Sequence, residues 1–66
     1  MDDTFRKTYH HPFHQLWTAT VGLPNYNKRE WGELDIRLSQ AWMERNNRKA
    51  SQVLAEAVTL QKRQMS

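Results

Sequence analysis

Sixty-six residues without a single cysteine leave room for one domain at most, and exclude a disulfide staple and a thiolate metal site. Three Trp, two Tyr and two Phe within a 38% hydrophobic composition argue against a disordered chain, and no run approaches the ~18 apolar residues of a membrane span. A net charge of +3 with a pI near 9.7 admits nucleic acid, acidic proteins or anionic surfaces as partners without choosing among them.

The opening MDDTFRKTYHH carries two acids and no apolar stretch, so it does not read as a secretion signal. The expectation is a cytoplasmic protein in a reducing compartment. Residues 1–9 are expected to form a flexible arm with isolated Phe5 and Tyr9. Pro12 suits the first turn of a helix, where its missing N–H costs nothing. Gly22 suits the left-handed residue that closes the helix, and Pro24 blocks continuation. A short helix over about 12–21 follows, with Leu16 and Trp17 as its core candidates.

LPNYN, residues 23–27, reads as a loop. Asn27 followed by Glu30 has the spacing of a capping box. Apolar residues then recur at Trp31, Leu34, Leu38, Ala41 and Trp42, one stripe at about 100° per residue, which predicts a helix over about 28–45. Glu33 and Arg37 stand four apart on its outer face. Asn46-Asn47 breaks the pattern, and a second helix is expected over about 48–64. Its stripe of Ala50, Val53, Leu54, Ala57 and Val58, flanked by Leu60, spans an arc of about 160°, broad for a helix with one neighbour. The fold class is all-α: a single small domain in which an antiparallel hairpin (28–45 and 48–64) carries the short N-terminal helix (12–21).

YHHPFH holds all three histidines, His10, His11 and His14. A helical metal pair needs two His at i and i+4 on one face. His10 and His14 have that spacing, but Pro12 lies between them and no cysteine can complete a site. The stretch therefore reads as a helix start, with His10 and His11 exposed and Phe13 turned inward, and no metal or cofactor is expected. Nor does a catalytic constellation assemble: the glycines form no phosphate loop and the serines lie in no nucleophile motif. Asp35, at the edge of the Trp31–Trp42 stripe, is the acid whose burial matters most. No enzymatic activity is expected.

Two departures from local rules carry the functional expectation. Lys28 and Arg29 open one helix, and Arg48 and Lys49 open the next, against the helix dipole. In an antiparallel hairpin Lys28, Arg29, Lys62 and Arg63 gather at one end and Arg45, Arg48 and Lys49 at the other, roughly 25 Å away. With Gln52 and Thr59 on the outer face of the last helix, these residues define a DNA-binding alternative: a helix-turn-helix-like transcriptional regulator built on the 28–64 hairpin.

The second departure is Ile36 and Met43, seven apart on a face about 120–140° from Trp31, beside Gly32. Glycine inside a helix is costly unless a backbone must approach closely. Gly32, Ile36 and Met43 are therefore the candidate protein interface. The leading expectation is a small regulatory or adaptor protein without catalysis, acting by binding another macromolecule. Its partners are a second copy of itself, as a homodimer, and a protein, with nucleic acid as the alternative and no membrane. Such a composition suits a bacterial or phage regulator.

Overall fold

The computed structural model describes residues 3–65. Three helices pack side by side into an all-α body of 38 × 15 × 15 Å. The first, α1, runs over residues 3–20 as three consecutive stretches: Asp3–Phe5, a π-helical stretch Arg6–His10, and His11–Thr20. α2 spans Lys28–Glu44 and α3 spans Asn47–Met65. α2 and α3 form the antiparallel hairpin expected from their stripes, and α1 lies along α3, parallel to it. No helix among the described residues is long and apolar enough to cross a membrane.

The arm expected over residues 1–9 is replaced, from residue 3 onward, by helix; residues 1 and 2 lie outside the described residues. Two physical facts account for this. Phe5 is 5% exposed, and its ring packs on Tyr9 at 4.7 Å, so the segment has an apolar anchor. Pro12, expected to start the helix, instead sits within it. In an α register its ring would collide with the Thr8 carbonyl and its missing N–H would leave that carbonyl unpaired. The wide turn just before it resets the register: the His11 N–H bonds to the Arg6 carbonyl, five residues back.

The C-terminus of α1 also differs from the sequence expectation. Gly22 does not adopt a positive φ. The helix instead unwinds through successive turns, Val21 N–H to Trp17 O, Leu23 N–H to Thr20 O and Tyr26 N–H to Leu23 O. Trp17 Nε1–H donates to Tyr26 Oη at 2.7 Å and fastens this loop back onto the helix.

Asn27 caps α2 as expected, its Oδ1 accepting from the Arg29 N–H at 3.0 Å. The reciprocal half of the capping box is absent because Glu30 is engaged elsewhere, by Gln64 at 3.1 Å and Arg63 at 3.4 Å. The expected Glu33–Arg37 pair is likewise displaced. Glu33 meets Arg29 at 3.7 Å, while Arg37 reaches across to α3 and donates two hydrogen bonds to Glu56, at 2.9 and 2.7 Å. A planar guanidinium gains more from a fork-to-fork carboxylate than from a loose pair along one helix. At about 40% exposure on each side the pair adds little stability, about 0.2–1 kcal/mol, and acts mainly on register.

α2 ends at Arg45, the one described non-glycine residue with positive φ (54°). The Asn46 N–H bonds to Ala41 O and the Arg45 N–H to Trp42 O, respectively the six-to-one and five-to-two bonds of a Schellman turn. The Arg45 guanidinium lies 5.6 Å from the Trp42 ring centroid, which helps an arginine occupy a position that favours glycine. Asn46 Oδ1 then accepts from the Lys49 N–H and caps α3. The chain therefore reverses within two residues, a turn rather than a kink.

The core holds Trp31, Leu34, Leu38 and Ala41 of α2, Ala50, Val53, Ala57 and Leu60 of α3, and Phe5 and Phe13 of α1. Trp42 and Leu54, expected inside, are partly buried at its edge. Alanines at 41, 50 and 57 let α2 and α3 approach closely, whereas the rings of Phe13, Trp17 and Trp31 fill the wider gap between α1 and α2. α1 also accounts for the broad apolar arc of α3, since Leu54 and Val58 face it. Leu38 is fully buried, so Leu38→Ala is expected to lower the unfolding free energy by about 2–5 kcal/mol in chemical denaturation; a loss under about half a kcal/mol would remove Leu38 from the core.

Candidate functional site: two uncharged faces and a charged cleft

Three surfaces of the body differ in chemistry. The cleft between α2 and α3, about 200 Å³, is lined by Glu30, Glu33, Arg37, Glu56 and Arg63 around Leu34 and Leu60. Its charges satisfy one another: Arg37 holds Glu56, Arg63 holds Glu30, and the Glu56 partner raises the Arg37 pKa through its hydrogen bonds. A cleft so paired offers few unsatisfied charges to a ligand.

At the buried end of that cleft lies a polar chain that the sequence did not reveal. Trp31 is wholly buried, and its Nε1–H donates to Gln64 Oε1 at 2.9 Å. Gln64, 5% exposed, passes its amide N–H to Glu30. Glutamine looks solvated by composition, but it continues the Val53–Ala57–Leu60 stripe by one further turn, which is the signal that locates it.

The groove between α1 and α3, about 330 Å³, is lined by Pro12, Gln15, Leu16, Ala19, Leu54, Val58 and Gln61, none of them charged. Gln61 Nε2 donates to the Leu16 carbonyl across its floor. This surface was not among the candidates read from the sequence; the excess breadth of the α3 stripe is its only trace there.

The third surface is the outer face of α2. Ile36 is 61% exposed and Met43 77%. Gly32 stands beside them, and a Cβ built on it would meet nothing within 4 Å. The close approach that would justify a glycine there is thus not made within the fold. Gly32, Ile36, Ser39, Gln40 and Met43 form a charge-free stripe, about 17 Å long at 1.5 Å per residue.

The basic candidates do not converge on one surface. Lys28, Arg29, Lys62 and Arg63 stand at one end, and Arg45, Arg48 and Lys49 at the other, as the hairpin requires. Carboxylate partners among the described residues include Glu33 for Arg29 (3.7 Å), Glu44 for Lys49 (3.5 Å) and Glu30 for Arg63 (3.4 Å). Gln52 and Thr59 are exposed on α3, and the Thr59 hydroxyl donates to the Ala55 carbonyl of its own helix. α2 and α3 lie side by side along their length, unlike the ~90–120° crossing of a helix-turn-helix.

The histidines separate. His11 and His14 are exposed, and His14 stacks on Trp17 at 6.1 Å. His10, expected to be exposed, is half-buried. Because α1 extends back to residue 3, His10 is carried against α2, edge-on to Trp42 at 6.1 Å and 6.0 Å from Phe5. Among the described residues no group of three or more His, Asp or Glu side chains is arranged to hold a metal ion. Asp35 is half-buried and acts electrostatically on His10.

No family model, no curated protein and no solved structure matches the chain.

Burial pushes the His10 pKa below 6.5, aided by the positive Arg6, His14 and His11 and opposed by Asp35. The folded state thus resists a proton that the unfolded chain accepts. Stability is complete above 6.5 and declines as pH falls through 6.5 toward the lowered folded value. Thermal unfolding is therefore expected to shift to lower temperature between about pH 7.5 and about pH 5.5, and His10→Phe should flatten that slope. An unchanged slope in His10→Phe would assign the pH response to other groups.

Proposed function

We propose that the protein is a small, non-catalytic regulatory or adaptor module that acts by binding other macromolecules, with the outer face of α2 as its contact surface. Its first partner is a second copy of the chain, a homodimer in its simplest form; a further protein partner completes the adaptor role. The reading takes it as cytoplasmic, in the manner of a small bacterial or phage regulator.

One observation carries this reading: Ile36 and Met43 are uncovered side by side with a glycine that nothing in the fold approaches. A helix-interior glycine costs roughly 0.5–1 kcal/mol relative to alanine. Exposed Ile and Met in register one heptad apart are an apolar surface that a partner helix would cover. The DNA-binding alternative draws less support, because its cations divide between two ends and Arg29, Lys49 and Arg63 among them are paired with carboxylates.

The test is sedimentation of wild type and of the Ile36→Glu/Met43→Glu variant, with circular dichroism as the folding control. Both positions are solvent-exposed, so helicity should persist while association at high micromolar concentration is lost. A wild-type protein that sediments as a monomer at that concentration contradicts the proposal.

A further inference from the structure

The α2 stripe and the α1/α3 groove lie on opposite sides of the body. In α2, Leu34 and Ala41 point toward α3, and a rotation of about 100° per residue puts Gly32, Ile36 and Met43 roughly opposite them. The groove opens on the far side of α3, between Leu54 and Val58 on one wall and Pro12, Leu16 and Ala19 on the other. A single molecule therefore presents both surfaces at once, facing away from each other.

The two surfaces match in length and in charge. Ile36 and Met43 are seven residues apart, about 10 Å along a helix. The groove walls repeat the spacing: Pro12 to Ala19 on α1 and Leu54 to Gln61 on α3 are also seven residues each. Side chains one heptad apart on one helix are the knobs that fit the recess between two parallel neighbours. The groove lining and the stripe from Gly32 to Met43 carry no charged side chain, and the exposed Arg29–Glu33 pair that borders the stripe can stay in water at its rim. By contrast, a two-fold pairing of α2 on α2 would bring together only two large apolar side chains per chain. That falls well short of the roughly 800 Å² per partner of a standard interface. Seating the stripe in the groove adds Leu16, Leu54 and Val58 to the apolar contact and gives Gly32 the close neighbour it lacks.

We infer that the α2 stripe of one copy docks into the α1/α3 groove of the next, a head-to-tail contact between unlike surfaces. This rests on the proposal that the α2 face is an interface, and names the surface it meets. Because the two faces point in opposite directions, a docked pair retains one vacant stripe and one vacant groove. Such contacts do not close into a dimer; they add further copies as open chains unless the rotation closes a ring. The contact is small and belongs to the weak, transient class.

Complementation between two blocked variants distinguishes the possibilities. Ile36→Glu/Met43→Glu blocks the stripe, and Ala19→Glu/Val58→Glu blocks the groove. Ala19 is exposed and Val58 is 38% exposed, so the carboxylates fall at the surface; Ala19→Glu alone is the fallback if the pair disturbs folding. Sedimentation of wild type should show mass growing past a dimer as concentration rises. Each blocked variant alone should be monomeric, its self-association weakened about tenfold or more. Mixed in equal amounts, the two should form a one-to-one pair and nothing larger, because each supplies the surface the other lacks. If the groove variant, or Ala19→Glu alone, associates like wild type while the stripe variant does not, the head-to-tail contact is wrong and the α2 face remains an interface of another kind. A mixture that stays monomeric while wild type associates also overturns it. A monomeric wild type overturns both.

Discussion

A single indole ties the three helices together. Trp31 of α2 has no solvent exposure; it stacks on Trp17 of α1 at 6.2 Å and 17°, meets Phe13 at 5.6 Å, and donates its indole N–H to Gln64 of α3. A buried indole N–H without an acceptor would cost about 1–3 kcal/mol, so Gln64 is a condition of burying the ring. Gln64 is oriented in turn by Glu30, and Glu30 by Arg63. Trp17 extends the same assembly into the 21–27 loop through Tyr26. The size of these rings sets the spacing of the bundle: α1 stands off from α2, while alanines draw α2 and α3 together.

Much of this is written in local periodicity. The Trp31–Leu38–Ala41 stripe, the Asn27 cap, the reversal near residue 46 and the solitary Ile36–Met43 pair all follow from spacing along one helix at a time. The surplus breadth of the α3 stripe already implied a second neighbour. What was not legible depends on contacts between segments far apart in the chain. Residues 3–9 are polar, and Pro12 is a strong start signal; their helix exists because Phe5 finds a buried site and a π-turn absorbs the proline. Gln64 is a core residue only because an indole 33 residues earlier needs an acceptor. Glu33 and Arg37 have the right local spacing, but Glu56 offers Arg37 a better-matched carboxylate from the next helix. The half-burial of His10 likewise depends on Trp42, which no local rule connects to it.

For the candidate surface, Gly32, Ile36 and Met43 were legible as a separate helix face; the structure leaves Ile36 and Met43 exposed, and a Cβ at Gly32 would meet nothing within 4 Å. The groove has no local signature, because its two walls are 42 residues apart, Pro12 against Leu54, and each contributes only a few apolar side chains. The basic residues show the opposite: conspicuous as a composition, they lose force when carboxylates from neighbouring turns and helices take up several of them. Charge then lies at the ends and in the α2/α3 cleft, while two opposed faces remain neutral. That division fits the proposal that the neutral faces are the contact surfaces.

The most direct test of the central claim, that the outer face of α2 is a docking surface on a body held rigid around Trp31, is a dilution series of amide NMR spectra on the wild-type chain. Concentration-dependent shifts are expected at Gly32, Ile36 and Met43 and their neighbours, with the Trp31 indole proton unmoved because Gln64 holds it inside. Spectra that do not change up to high micromolar concentration, or shifts centred on Lys28 and Arg29 instead of the α2 face, would contradict the account.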